Sequence, residues 1–109
     1  MVKFRDQSRY PNGMCDGTGR DVWKRYREKA IKLLEKVEAQ MLYLGKSCTP
    51  LIAPEGENWD ELFLIRYDSV EKFMELVADP EYREITIHRT AALADSRLII
   101  AMEKNFFLV

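Results

Sequence analysis

The segment WDELFLIRY, residues 59–67, is the clearest β-strand in the sequence. Successive side chains of a strand point to opposite faces, so its residues divide into two sets. The sets are Phe63, Ile65 and Tyr67 on one face and Leu62, Leu64 and Arg66 on the other. Both sets are mainly apolar, whereas a strand with one solvated face alternates apolar and polar residues. The sheet containing this strand therefore needs cover on both faces.

A short strand over residues 2–5 and a Gly-rich loop over residues 6–19 come before the first helix. Apolar residues spaced by three and four predict an amphipathic helix from Arg20 onward, with Thr18 as a candidate N-cap. Its apolar positions are Val22, Trp23, Tyr26, Ala30, Leu33, Leu34 and Val37. Residues 40–52 lose this period and predict a strand, and residues 54–58 form a polar turn before the strand at 59–67.

Ser69 is a good N-cap, and the spacing of the next apolar residues predicts a second helix. Its expected core stripe is Val70, Phe73, Met74 and Val77, and a further helical stretch runs through Tyr82, Ile85, Arg89, Ala92 and Leu93. Asp79 and Pro80 restart the helix between these two stretches. Residues 96–103 predict the last strand, and an apolar tail, residues 106–109, follows. The order is βαββαβ.

This order predicts an α+β fold of the ferredoxin-like kind, with a four-stranded antiparallel sheet and helices on one face only. Right-handed crossovers place both helical segments on the same side of the sheet. The predicted last strand is apolar on both faces, like the third, and its two sets are Leu98, Ile100 and Met102 against Ile99 and Ala101. A second copy of the sheet is the simplest cover for the open face. The alternative is that the tail folds back over it.

Bulk composition places the chain among ordinary globular domains. It has 109 residues, 47% of them hydrophobic, and a formal net charge of -1, so we expect a single domain over residues 1–109. The mixed charges argue against a nucleic-acid partner, and the short apolar runs argue against a membrane partner. With no apolar leader, we expect a cytoplasmic protein. Cys15 and Cys48 have no metal-site or redox-pair spacing and are expected to be reduced thiols.

Several segments together resemble members of the domain of unknown function family 1330, within the dimeric α+β barrel superfamily. They are FRDQSRYP, WDELFLIRYDS, VADPEYREI and HRTAALADSRLI, and the likeness covers nearly the whole chain. The resemblance implies a ferredoxin-like subunit whose sheet faces that of its partner across a two-fold axis, with a cavity between sheet and helices. It implies no reaction, because relatives in the superfamily range from cofactor-free enzymes to ligand sensors. Relatives usually carry several apolar residues before the Lys3-Phe4-Arg5 segment.

His88, the single histidine, is a candidate general base, and the adjacent Arg89 could hold an anionic substrate. The alternative is that His88 only packs at a helix end. Arg66 is predicted to point into the dimer interface, where it would pair with a carboxylate such as Glu61 or Glu103, or with a bound anion.

Arg5, Arg9 and Tyr10 border the Gly-rich loop, which could be a lid over a cavity or merely a connector. Trp59 and Tyr82, with Trp23 and Tyr26, could line an aromatic pocket or simply belong to the core. No motif for a metal or cofactor is present, so we expect neither. Two functions fit these residues: a cofactor-independent, monooxygenase- or isomerase-like enzyme that uses His88 or Tyr10 for proton transfer, or a non-catalytic dimeric ligand-binding or sensing module.

Overall fold

A computed structural model describes residues 1–103 and confirms the α+β class and the predicted order of elements. The elements are β1 (Val2–Phe4), α1 (Gly19–Lys36), β2 (Gln40–Lys46), β3 (Glu61–Arg66), α2 (Val70–Ala78), α3 (Pro80–Ala92) and β4 (Leu93–Ser96). The second helical segment is divided at Asp79, whose carboxylate accepts a hydrogen bond from the N–H of Glu81 at 2.8 Å. Pro80 takes the first position of α3, where its missing N–H costs nothing.

The four strands form one antiparallel sheet in the order β2-β3-β1-β4, which is the ferredoxin-like arrangement. Strand β1 lies between β3 and β4, with Val2 opposite Glu61 on one side and opposite Ser96 on the other. Strand β2 is the outer strand beside β3, and its register shifts between Met41 and Tyr43. That irregularity is a bulge, which bends the strand locally.

Helix α1 begins with a complete capping box. The Thr18 hydroxyl accepts the N–H of Asp21, and the Asp21 carboxylate accepts the N–H of Thr18, each at 3.1 Å. The Ser69 hydroxyl caps α2 in the same manner through the N–H of Lys72. Thr18, Ser69 and Asp79 are thus the caps that the sequence indicates.

The core lies between the sheet and helices α1 and α3. All the predicted core positions of α1 are buried or half-buried, and Trp23 packs against Phe4, Tyr26 and Phe63. In β3 the residues in line with Phe63 are half-buried against this core, and the alternate residues are exposed. The helices therefore cover one face of the sheet, as predicted.

Three predictions are wrong in detail. Strand β4 occupies Leu93–Ser96 instead of residues 96–103, because the chain passes directly from α3 into pairing with β1. Strand β2 ends at Lys46 instead of continuing to residue 52. In α2, Leu76 is the buried residue, whereas Val70, Met74 and Val77 of the predicted stripe are exposed. The predicted tail at residues 106–109 lies outside the described residues.

The uncovered face of the sheet carries exposed apolar side chains. We call it the open face: it comprises Tyr43 and Gly45 of β2 and Leu62, Leu64 and Arg66 of β3. Residues 97–103, which we call the arm, continue from β4 without regular secondary structure and are exposed. Nothing in residues 1–103 packs over the arm's apolar side chains. The open face and the arm are therefore two apolar surfaces that the helices do not cover.

Candidate functional site

Tyr10 and His88, both predicted to take part in proton transfer, lie together. The Tyr10 hydroxyl is 2.8 Å from Nδ1 of His88, and the two rings meet edge to face with their centroids 5.7 Å apart. Both side chains are half-buried. A hydroxyl and an imidazole at this distance can exchange a proton directly.

Backbone hydrogen bonds of the Gly-rich loop fix the position of Tyr10. The N–H of Arg9 donates to the carbonyl of Ala91 at the end of α3, and the N–H of Tyr10 donates to the carbonyl of Met14, both at 2.9 Å. Gly13 closes this turn with a φ of 82°, which favours glycine. The loop is thereby tied to α3, and only its tip around Asn12 projects.

Ser8 holds the base of the loop together. It is a buried polar residue with 3% of its surface exposed. Its hydroxyl donates to the carbonyl of Gly17 at 2.8 Å and accepts the N–H of Asp16 at 2.9 Å. These bonds close the loop on itself. They favour the interpretation of the loop as a connector over that of a hinged lid.

A shallow cleft opens beside Tyr10. Its volume is ≈ 400 Å³, and the residues lining it are Tyr10, Pro11, Asn12, Met14, Cys15, Asp16 and Ile87. A volume in this range accommodates a small organic molecule. Tyr10 lines the cleft, whereas His88 is not among the lining residues and contacts the Tyr10 hydroxyl. His88 would therefore act on a molecule in the cleft through Tyr10.

The surroundings of His88 favour its neutral form. Burial is the main cause that lowers the pKa of His88, and the positive charges of Lys29 and Arg25 on α1 lower it further; Asp16 opposes them. The Asp16 carboxylate is 2.7 Å from Arg25 and is therefore already paired. In the tautomer that carries its proton on Nε2, a neutral imidazole accepts the Tyr10 hydroxyl proton at Nδ1.

Arg89 and Tyr82 lie in a different place from His88, although Arg89 is its neighbour in the sequence. Tyr82 faces α1, where its hydroxyl is 3.1 Å from that of Tyr26. Burial and the nearby Tyr82 raise the pKa of Tyr67 to about 12, and burial also raises the pKa of Tyr26. The positive charge of Arg89 acts on Tyr26 in the opposite direction. These side chains form a second polar group under the sheet.

The structure does not bring the other predicted residues to either group. Arg66 is exposed on the open face, as predicted, but Glu61 points to the covered face, where it accepts a hydrogen bond from Trp23 and pairs with Arg27. Glu61 is therefore not placed to pair with Arg66 of its own chain, and the described residues show no Arg66–Glu103 pair. Pairing of Arg66 across a dimer interface stays a prediction. The Trp59 indole donates to Glu57 at 3.0 Å, and the Arg97 guanidinium lies over its ring.

Arg5 extends from the end of β1. Its N–H donates to the carbonyl of Ala92, and its carbonyl accepts the N–H of Gly19. Its side-chain Nε is buried without a hydrogen-bond partner among residues 1–103.

Trp23 and Tyr26 belong to the core. This favours the prediction that they are core residues over the prediction that they line a pocket.

Sequence reasoning missed the charged residues around His88. Lys29, Arg25 and Asp16 come from α1 and the Gly-rich loop, far from α3 in the sequence. The one usable signal was that Arg25 and Lys29 are four residues apart, and hence on one face of a helix.

Within residues 1–103, no three His, Cys, Asp or Glu side chains group as metal ligands, and no helix is long and apolar enough to span a bilayer.

Residues 13–103 match the family described as Domain of unknown function (DUF1330). The chain belongs to this family. A crystal structure of methylated RPA0582 protein is 34% identical, with a TM-score of 0.88 over 97% of this chain and 78% of that one. A second structure, of RPA0582 as a protein of unknown function from Rhodopseudomonas palustris, is 34% identical, with a TM-score of 0.85 over 96% of this chain and 79% of that one. None of the curated proteins matches.

The DUF1330 match confirms the family that the sequence resembles. It spans α1, β2, β3, α2, α3, β4 and the arm, and begins inside the Gly-rich loop, after Tyr10. It therefore includes His88 but not Tyr10. The family description and the RPA0582 titles name no reaction, so a function for this chain has to be argued from its own side chains.

Proposed function

We propose that the protein is a homodimeric small-molecule-binding protein that transfers a proton, without a cofactor, at the cleft beside Tyr10. The observation that carries the proposal is the 2.8 Å contact between the Tyr10 hydroxyl and Nδ1 of His88 at the wall of this cleft. The substrate class is a small, partly apolar or anionic molecule, since Met14 and Ile87 line the cleft and the cation Lys29 acts on His88 next to it. The lining carboxylate Asp16 is paired with Arg25.

The proton moves in two coupled transfers. The Tyr10 oxygen removes a proton from the bound molecule while the Tyr10 hydroxyl proton passes to Nδ1 of His88. The products are the deprotonated ligand and an imidazolium, and Tyr10 returns to its neutral form. Because the pKa of His88 is lowered, the imidazole starts neutral near pH 7, which a proton acceptor requires. The positive charge of Lys29 would favour a ligand anion, whereas Arg25 is already paired with Asp16.

The homodimer is supported by the open face. Tyr43, Leu62 and Leu64 are all exposed there, and a soluble monomer seldom leaves such a continuous apolar face in water. Arg66 at its end is free to meet a carboxylate or an anion from the partner. Light scattering should give twice the chain mass of 12.8 kDa. Leu64→Lys should shift the protein to monomer, and Leu51→Lys, at an exposed loop position, should not.

The proton transfer is tested with a panel of small carboxylates, enols and ketones, with exchange of an acidic ligand proton for solvent deuterium followed by NMR. Tyr10→Phe keeps the ring but removes the hydroxyl, and should lower the exchange rate by about 10²-fold or more at an unchanged KM. Tyr82→Phe, whose hydroxyl lies in the other polar group, is the matched control and should exchange at the rate of the unaltered protein. Equal rates in the unaltered protein, Tyr10→Phe and His88→Gln would refute catalysis at this site.

A non-catalytic binding module is the second candidate, and one observation favours it. Asp16, the carboxylate at the cleft, is already paired with Arg25 at 2.7 Å, so it is not available as an acid–base group in addition to Tyr10 and His88. In this case ligands of the panel would bind, with chemical-shift changes at Tyr10, but none would exchange a proton faster than in buffer.

A further inference from the structure

The side-chain amide of Asn12 is held in one orientation at the wall of the cleft. Its Oδ1 accepts the N–H of Met14 at 3.0 Å. A backbone N–H can donate only to the amide oxygen, so this bond distinguishes Oδ1 from Nδ2. The hydrogen bonds within residues 1–103 leave Nδ2 without a partner. Because Asn12 lines the cleft, its two side-chain N–H groups are available to a molecule bound there.

The other side chains that line the cleft offer no such donor. The Cys15 thiol donates to a backbone carbonyl oxygen of the loop at 3.2 Å. Asp16 is an acceptor and is engaged in its ion pair with Arg25. Three further lining side chains carry no N–H or O–H group: Pro11, Met14 and Ile87. Of the described side chains that line the cleft, Tyr10 apart, Asn12 is therefore the one with a free hydrogen-bond donor.

Tyr10 supplies the opposite hydrogen-bonding group. In the His88 tautomer that the proposed transfer requires, the Tyr10 hydroxyl proton is directed to Nδ1, and the Tyr10 oxygen is left as an acceptor. The cleft thus combines an acceptor that removes a proton with a neutral donor, Asn12, on the same loop. Met14 and Ile87 add an apolar surface. A ligand that matches both polar groups carries an acidic C–H next to a carbonyl oxygen.

A neutral carbonyl group fits this donor better than a carboxylate does. Carboxylates are usually held by a cation, and Arg25 is already paired with Asp16. Lys29, which acts on His88, is not among the lining residues. The uncharged amide of Asn12 cannot offset the cost of removing water from an anion. It can bind a carbonyl oxygen before the transfer and the same oxygen once negative charge develops on it.

We infer that Asn12 recognises the carbonyl oxygen of a neutral ketone or aldehyde whose α-carbon loses the proton, which rests on the function proposed above. The Tyr10 oxygen takes the α-proton, and the Tyr10 hydroxyl proton passes to Nδ1 of His88. The electron pair of the broken C–H bond forms the carbon–carbon double bond of an enolate, and the carbonyl π pair moves to oxygen. That oxygen accepts a hydrogen bond from Nδ2 of Asn12. The imidazolium exchanges its proton with solvent before the reverse transfer, so deuterium enters at the α-carbon in deuterium oxide.

Two substitutions at Asn12 separate the donor from the other properties of this side chain. Asn12→Asp keeps an oxygen for the N–H of Met14, but it removes the donor and adds a negative charge. Asn12→Ala removes the donor without adding a charge, but it also removes the loop bond. Loss of the donor is the one change that both variants share. Asn58→Asp, at an exposed loop position, is the control for an added negative charge away from the cleft.

The measurement is deuterium exchange at the α-carbon of acetophenone, a neutral ketone, and of phenylacetate, a carboxylate with the same ring. We expect the unaltered protein to accelerate exchange in acetophenone and not in phenylacetate. Both Asn12 variants should lower kcat for acetophenone by at least about tenfold, since one donor to a developing oxyanion is worth about 10²–10³-fold in a closed site and this cleft is open. KM should change much less than kcat, and Asn58→Asp should change neither.

NMR gives a second readout that does not depend on turnover. The side-chain NH₂ signals of Asn12 are identified by their absence from the spectrum of Asn12→Asp. A hydrogen bond to the ligand should shift one of these two signals when acetophenone binds. Signals that stay in place at saturating acetophenone would overturn the inference, because the amide then makes no bond to the carbonyl oxygen.

The kinetic outcomes separate the inference from the proposed function. Similar losses in Asn12→Asp and Asn12→Ala support the role of the donor. A loss in Asn12→Ala alone would assign the effect to the loop bond, and a loss in Asn12→Asp alone would assign it to charge, so either result overturns the inference. Exchange that depends on Tyr10 but is faster for phenylacetate, absent for acetophenone or unaffected by both Asn12 variants also overturns it and leaves the transfer at Tyr10 standing. Equal exchange in the unaltered protein and Tyr10→Phe for every compound of the panel overturns both.

Discussion

The ring of Tyr43 lies over Gly45 on the open face. A methyl group built on Gly45 would come within 2.7 Å of the ring atoms Cε1 and Cζ of Tyr43. The two residues are two positions apart in β2 and so share a face, opposite Leu64 and Leu62 of β3. The glycine thus provides the space into which the aromatic ring folds.

Gly45→Ala should displace the Tyr43 ring and gain little stability. Alanine in a strand would ordinarily stabilise by roughly 0.5–1 kcal/mol relative to glycine, but here that gain is offset by the lost ring packing. In a Tyr43→Ala background the same change should show the full gain, because the ring is gone. Urea unfolding of the four variants measures the difference. Equal effects in both backgrounds would show that the two residues are not coupled.

The segment at residues 59–67 correctly predicted a strand of a sheet that the helices cover on one face, because its two apolar faces follow from side-chain alternation alone. The same reasoning misplaced β4. Residues 98–102 carry the apolar residues typical of a strand, while Leu93–Ser96 is short and half polar. Which segment pairs with β1 depends on where α3 ends, and the hydrogen bond from Arg5 to the carbonyl of Ala92 fixes that end. No local pattern carries this information.

The candidate site was predictable in its residue types but not in its grouping. His88 and Arg89 are neighbours in sequence, yet consecutive helical residues differ by about 100° in direction, so they face different surroundings. Tyr10 and His88 are 78 positions apart and meet only because the loop folds back on α3. Long-range contacts of this kind follow from tertiary packing, which periodicity does not describe.

The stability of the protein should fall as pH falls below about 6.5, the ordinary pKa of histidine. In the folded protein the pKa of His88 is lowered, chiefly by burial. The unfolded chain therefore binds the proton more readily, so the contribution of neutral His88 is present above the unfolded pKa and is lost as pH decreases. Urea unfolding at pH 7 and pH 5 measures this loss.

His88→Gln is the control for that pH dependence, since glutamine does not titrate and His88 is the single histidine. Its stability should change less between pH 7 and pH 5. Asp21, Asp79 and Asp95, whose pKa values are also lowered, lose their contributions only near and below their ordinary range of about 4. A variant with the same pH slope as the unaltered protein would contradict the prediction.

Asp60 should stabilise the fold through its hydrogen bond to β1 more than through its charge. Its Oδ2 accepts the N–H of Phe4 at 2.7 Å, and its Oδ1 lies 3.3 Å from Arg20, whose side chain is 61% exposed. Asp60→Asn retains an acceptor for Phe4 and should cost less than about 1 kcal/mol, as expected for a surface ion pair. Asp60→Ala leaves the Phe4 N–H unpaired and should cost about 1–3 kcal/mol in urea unfolding. Equal costs would assign the effect to charge.

Gly19→Ala should be the most damaging single glycine substitution. Gly19 is buried at the start of α1, and a methyl group there would lie 2.6 Å from the carbonyl oxygen of Ala92 and 2.7 Å from the backbone nitrogen of Arg5. Backbone atoms cannot rotate away as the Tyr43 ring can, so β1, α1 and the end of α3 would have to separate. We expect a loss of about 3 kcal/mol or more, at the upper end of the cost of overpacking.

Gly13→Ala is the matched control for that substitution. Gly13 has a positive φ of 82° but no atom within 4 Å of an added methyl group, so its cost should be limited to backbone strain of roughly 1–2 kcal/mol. Thermal unfolding of the two variants compares steric overlap with strain. If Gly19→Ala unfolds at the same temperature as Gly13→Ala, then α1 does not approach β1 and α3 as closely as the hydrogen bond from Gly19 to the carbonyl of Arg5 requires.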